Sequence, residues 1–86
     1  MDLLESMYRI TWLKGDFEGA FAYKGTETIG YVMINGGDNT WVSCAYWKRD
    51  TNIRVAEIVC AHQTEKDARD FLEAQWHDFV DALLEE

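Results

Sequence analysis

Apolar and polar side chains alternate through the first two thirds of the chain. Over residues 7–14, Tyr8, Ile10 and Trp12 alternate with Arg9 and Thr11, and the run ends at Gly15-Asp16, a pair suited to a tight primed turn. A returning strand over 18–24 reaches Gly25-Thr26, which makes the second turn. Residues 27–34 follow, with Ile29, Tyr31 and Met33 opposed to Gly30, Val32 and Ile34. The stretch 35–39, Asn-Gly-Gly-Asp-Asn, is the richest turn cluster in the chain. Strands four and five are expected over 40–48 and 53–61, joined through 49–52. Because every connection is short, neighbouring strands should pair antiparallel as a meander.

After His62 the period changes from two to about 3.6, with Ala68, Leu72, Trp76, Phe79 and Leu83 recurring on one face. The pattern predicts a helix to the C-terminus. Thr64 followed by Asp67 forms a variant capping box, and Glu65 places negative charge where the helix dipole favours it. Residues 1–7 could add one helical turn, although isolated segments that short are marginal in water. The expected fold class is α+β: an antiparallel meander of about five strands with one C-terminal amphipathic helix on one face, a single domain over 1–86.

Two-residue turns at Gly15-Asp16 and Gly25-Thr26 set a register. Trp12 then faces Gly19, Ile10 faces Phe21, Tyr8 faces Tyr23, and Phe21 lies opposite Gly30. This face, continued by Val32 and Ile34, is expected to receive the helix. The other face collects Leu13, Ala20, Ala22, Ile29, Tyr31 and Met33, and a centred five-residue loop adds Trp41, Ala45 and Trp47. One helix covers one side of a sheet. The N-terminal segment folds over the second face, or Tyr31, Trp41 and Trp47 mark a homodimer or partner interface there, or large rings on an exposed sheet shield one another and lend strand stability.

Charge narrows the partners. The 86 residues hold 8 Lys plus Arg against 16 Asp plus Glu, a net of -8, so phosphate backbones and anionic lipid are disfavoured as direct ligands. No apolar run approaches the ~18 residues of a membrane span. The N-terminal residues carry two acids and no basic region, so a cytoplasmic location is expected. Cys44 and Cys60 lack CxxC spacing, and turning about Asp50 and Thr51 sets Cys60 near Trp41 and Cys44 near Glu57; two free thiols are expected.

No phosphate loop, dinucleotide fingerprint, nucleophile elbow, HExxH or calcium loop occurs. Glu73, His77 and Asp81 fall at i, i+4 and i+8 and so share a side of the helix. They read as an exposed face with helix-supporting pairs rather than a metal site, which wants a closed ligand set. His62 reads as a capping or loop residue and Ser43 as a strand residue with no His near it. Gly36-Gly37 reads as turn rather than anion nest, because Asp38 opposes a phosphate. No enzyme activity, metal or cofactor is expected.

The imbalance sits in the helix. Residues 65–86 hold 8 acids and 2 bases, a net of -6, while the first 64 residues hold 8 acids and 6 bases. At about 100° per residue, Asp67, Asp70, Asp78, Asp81 and Glu85 fall in one stripe opposite the apolar seam. The stripe reads either as an ordinary solvated face or as a line of carboxylates imitating a phosphate backbone, which would suit a protein with a basic nucleic-acid-binding groove.

A strand meander with Tyr8-x3-Trp12 and Trp41-x5-Trp47, followed by Ala68-x3-Leu72-Glu73-x2-Trp76-x2-Phe79, resembles small phage and prophage proteins over most of the chain. In size, acidity and strand-helix economy it is similar to phage-encoded inhibitors of host defence, anti-CRISPR proteins among them. That resemblance implies an inhibitor acting by nucleic-acid mimicry, and carries over no functional residues. The alternative expectation is a homo-oligomeric structural or accessory domain whose acidic helix only confers solubility.

Overall fold

The computed structural model describes residues 3–47 and 57–85, with 57–60 described by backbone alone. A short helix, α1 (Leu3–Tyr8), precedes β1 (Thr11–Lys14), β2 (Gly19–Lys24), β3 (Glu27–Asn35), β4 (Thr40–Ala45), β5 (Glu57–His62) and the long helix α2 (Glu65–Leu84). The strands form one antiparallel sheet in the order β1-β2-β3-β4-β5, an open meander with α2 packed across it. The fold is therefore α+β as expected. The expected connection 49–52 and the first residues of the fifth strand lie outside the described residues.

The first three hairpins each depart from the expected register for a local reason. Gly15 does not start a two-residue turn: its N–H donates to the Gly19 carbonyl at 3.4 Å, so Asp16, Phe17 and Glu18 form the loop and Trp12 pairs with Ala22. The Phe17 ring fills the space beside both glycines, where a Cβ on Gly15 or Gly19 would lie 2.3 Å and 2.6 Å from its carbons. At the second hairpin Lys24↔Glu27 and Tyr23↔Thr28 pair as expected, but a bulge then leaves Ile29 extra and brings Ala22, not Phe21, opposite Gly30. At the third, Asn39 adopts φ 60 and donates to the Asn35 carbonyl at 2.9 Å. This loop is one residue shorter than expected and pairs Ile34 with Trp41.

A shift by an odd number of residues moves a strand's side chains to the opposite face. The helix-facing surface is thus Ala20, Ala22, Gly30, Val32, Ser43 and Ala45, a floor of small side chains. Ala68, Leu72, Trp76 and Val80 of α2 are buried on it, and Trp12, Trp41 and Trp47 pack against the same clusters. Gly30 sets the approach: a Cβ there would stand 2.3 Å from the Cys44 carbonyl oxygen and 3.2 Å from Leu72 Cδ1. The expectation that Trp41 and Trp47 lie away from the helix is overturned. Trp47 meets Trp76 edge-on at 5.2 Å between centroids, and Trp41 packs against the cluster of Ala20, Val32 and Ala68. Phe21, expected beneath the helix, lies on the outer face.

The strand expected from residue 7 begins at Thr11, because residues 3–8 are helical. Six residues do not hold a helix alone; tertiary bonds do so here. Lys24 Nζ donates to the carbonyls of Ser6 and Arg9, and Trp76 Nε1 donates to that of Met7 at 2.9 Å, satisfying the C-terminal end of α1.

Candidate functional site

Helix α2 begins where its cap dictates. Thr64 is extended at φ -135, and its hydroxyl accepts the Asp67 N–H at 3.0 Å. From that start the helical period turns Asp67, Asp70, Asp78, Asp81 and Glu85 to the exposed side, as their spacing predicts. The two cations of α2 are placed differently. Lys66 stays outside and pairs with Asp70 at 2.6 Å, which raises the lysine pKa above its ordinary value. Arg69 turns inward: its guanidinium lies 5.0 Å from the Trp12 ring centroid and pairs with Glu65 at 2.9 Å, while its Nε is buried without a hydrogen-bond partner. A shallow trough of about 520 Å³ between Asp70, Glu73, His77, Asp78 and Asp81 runs along this surface.

Glu73, His77 and Asp81, expected to form an exposed face of helix-supporting pairs, instead contact the N-terminal part of the chain. Glu73 accepts the Trp12 indole N–H at 2.8 Å, His77 stacks on the Tyr8 ring at 4.2 Å with 11° between planes, and Asp81 accepts the Tyr8 hydroxyl. That last bond raises the Tyr8 pKa. Glu73, His77 and Asp81 therefore clasp the N-terminal segment against α2, and Asp81 is only partly available to a partner. Among the described residues no group of three or more His, Cys, Asp or Glu side chains is placed to hold a metal ion.

Ser43 has a His beside it, contrary to the sequence reading. Its Oγ lies 3.0 Å from His62 Nε2, and the imidazole also packs on Phe71 of α2 at 5.0 Å. His62 ends β5 rather than capping the helix. A register shift between β4 and β5 pairs Trp41 with His62 but Ser43 with Val59, and Ala61 in this step adopts φ 70. The spacing of 19 residues carries no signal for this pair; only strand register makes it. Ser43 is 2% exposed, and a hydroxyl at that depth does not meet a solvent-borne substrate unless the strands open. The pair satisfies two polar groups under α2.

On the far side of the sheet lies an aromatic surface. Phe17 and Phe21 meet edge-on at 5.2 Å, and Tyr31 lies 5.9 Å from Tyr46. With Met33 these rings border a shallow depression of about 240 Å³. Of the three residues expected at a second interface, only Tyr31 is here. Beneath it, Cys44 is a buried free thiol whose pKa is raised by burial, partly offset by a hydrogen bond with Tyr31. The Cys60 side chain lies outside the described residues. At the Gly36-Gly37 turn the Gly37 N–H is taken by Asn35 Oδ1 at 3.1 Å. Asp38 accepts from Thr40 N–H and Oγ1, which lowers its carboxyl pKa.

No family model, curated protein or solved structure matches the chain. No described helix is long and apolar enough to cross a membrane.

Proposed function

We propose that this protein is a non-enzymatic binding module whose acidic α2 face occupies the basic groove of a nucleic-acid-handling complex. The observation that carries the reading is the segregation of charge on α2. Arg69 is drawn toward Trp12 and Glu65, leaving Lys66, among the described residues, as the one cation beside Asp67, Asp70, Asp78, Asp81 and Glu85. From Asp67 to Glu85 the helix rises about 27 Å at ~1.5 Å per residue. A nucleic-acid strand carries about eight phosphates over that length at one per ~3.4 Å. Five carboxylates are a thinner charge line, suited to displacing part of a bound strand. The resemblance to phage inhibitors of host defence points to a CRISPR or nuclease complex in the host cytoplasm as the target class. No cofactor or bound metal enters this reading.

The test uses Asp70→Asn, Asp78→Asn and Glu85→Gln together, which leaves the Tyr8 contact of Asp81 intact. Wild-type protein immobilised in nuclease-treated bacterial lysate should retain a nucleic-acid-binding protein that duplex DNA or 0.5 M salt releases. The triple variant should keep its circular dichroism and associate at least tenfold more slowly with that protein. An unchanged association rate, or a captured protein that nucleic acid does not displace, defeats the proposal.

A further inference from the structure

We infer that the outer sheet face is the contact surface of a homodimer in which two copies meet sheet to sheet, with both α2 helices outermost. The register aligns Leu13, Phe21, Tyr31 and Cys44 in one row across β1 to β4, continued by Ile58 on β5. The described outward positions of β1 to β4 carry no charge: Leu13, Phe21, Tyr31, Met33 and Cys44 lie there in a chain of net charge -8. Leu13 is 53% exposed and Met33 37%. The chain's own N-terminal segment does not cover this surface, because Tyr8 and Met7 are fastened to α2 on the opposite side.

Charge selects the occupant. Among the described residues a basic groove, a phosphate backbone or a lipid headgroup finds no ionic partner on this face, whereas a second copy presents the same uncharged surface of rings and methyls. Two acidic copies must also keep their carboxylates apart. With layers spaced at about 10 Å, sheet-to-sheet contact holds the α2 axes about 30 Å apart, well beyond the ~8 Å screening length at physiological salt. Area points the same way. Five strands at ~4.8 Å spacing and about 20 Å long give a projected face of about 500 Å², and protruding rings expose more than the projection. Two such faces bury about 1,000 Å² in total, the lower bound of a specific interface. Two such sheets pack aligned at about 30° with their inner side chains interdigitated. The arrangement does not depend on the acidic-face reading, since both acidic faces remain free.

Sedimentation velocity across a concentration series is the test. Wild-type protein should sediment as a particle of twice 10.0 kDa at tens of micromolar and remain so in 0.5 M NaCl, which screens the helices and leaves apolar contact intact. Met33→Glu should raise the dissociation constant at least tenfold with unchanged circular dichroism. Met33→Ala, which adds no charge and strains no strand, should raise it by a smaller factor and covers the case in which the glutamate variant fails to fold. A wild type that stays monomeric at several hundred micromolar overturns the inference. So does a dimer that neither Met33 variant weakens.

Discussion

At Gly30 the absence of a side chain decides how closely β3 meets β4 and α2. A methyl there would press on the Cys44 backbone oxygen at 2.3 Å, which cannot rotate away, and on Leu72 Cδ1 at 3.2 Å, which can. Gly30→Ala should therefore destabilise the protein by about 1–3 kcal/mol, the cost of overpacking a well-filled core. Urea denaturation checks this, and an unchanged midpoint would show that the strands part freely. The same scale explains Ala61: its φ of 70 is a conformation that costs an L-residue about 1 kcal/mol or more, and it accompanies the step that brings His62 to Ser43. Neither the close approach at Gly30 nor the turn at Ala61 has a local sequence signature.

Among the elements, α2 is the most legible and α1 the least. The period of Ala68, Leu72 and Trp76 and the Thr64 cap lie within one segment, so propensity, capping and amphipathicity agree. Replacing Thr64 with Ala should cost about 1 kcal/mol and lower the melting temperature by about 4–8 °C in a domain of this size. A thermal scan decides it, and no shift would mean that packing alone sets the helix start. Helix α1 depends on Lys24 and Trp76, respectively about 18 and 70 residues away along the chain, which no window over residues 1–8 contains. Hairpin registers were illegible for a related reason. Gly15-Asp16 fits a two-residue turn, but placing the Phe17 ring over two glycines favours a longer loop that brings Ala20 and Ala22 beneath the helix.

The whole molecule titrates asymmetrically. Burial first, then the neighbouring Cys44, raises the Tyr31 and Tyr46 phenols above 10.0; burial raises the Cys44 thiol above 9.0; and Asp81 raises Tyr8 by its hydrogen bond. The folded state keeps these protons at a pH where the unfolded chain releases them, so the stability they contribute is present below those ordinary values. It is lost as pH rises through the folded ones. On the acid side Asp38 is depressed by its hydrogen bonds from Thr40, and its contribution is lost as pH falls through its lowered value. Urea midpoints should therefore drop between pH 8 and pH 11, with tyrosinate absorbance appearing late. Equal midpoints at the two pH values would show that these phenols and the thiol titrate as in the unfolded chain.

The sequence by itself determined the fold class, the order of five strands and a C-terminal helix, the helix cap, and the acidic outer face of α2. Each of these is encoded by residues within a few positions of one another. Tertiary structure alone decided which sheet face receives the helix, because that choice turns on one-residue differences in loop length and on a bulge at Ile29. It therefore also decided that Trp41 and Trp47 pack against the core, that the half-buried aromatic rings of the outer face are Phe17, Phe21, Tyr31 and Tyr46, and that Ser43 meets His62. A period of two states that a strand has two faces; only the small side chains of Ala20, Ala22 and Ala45 and the bare backbone of Gly30, gathered beneath Leu72, determine which one lies inside.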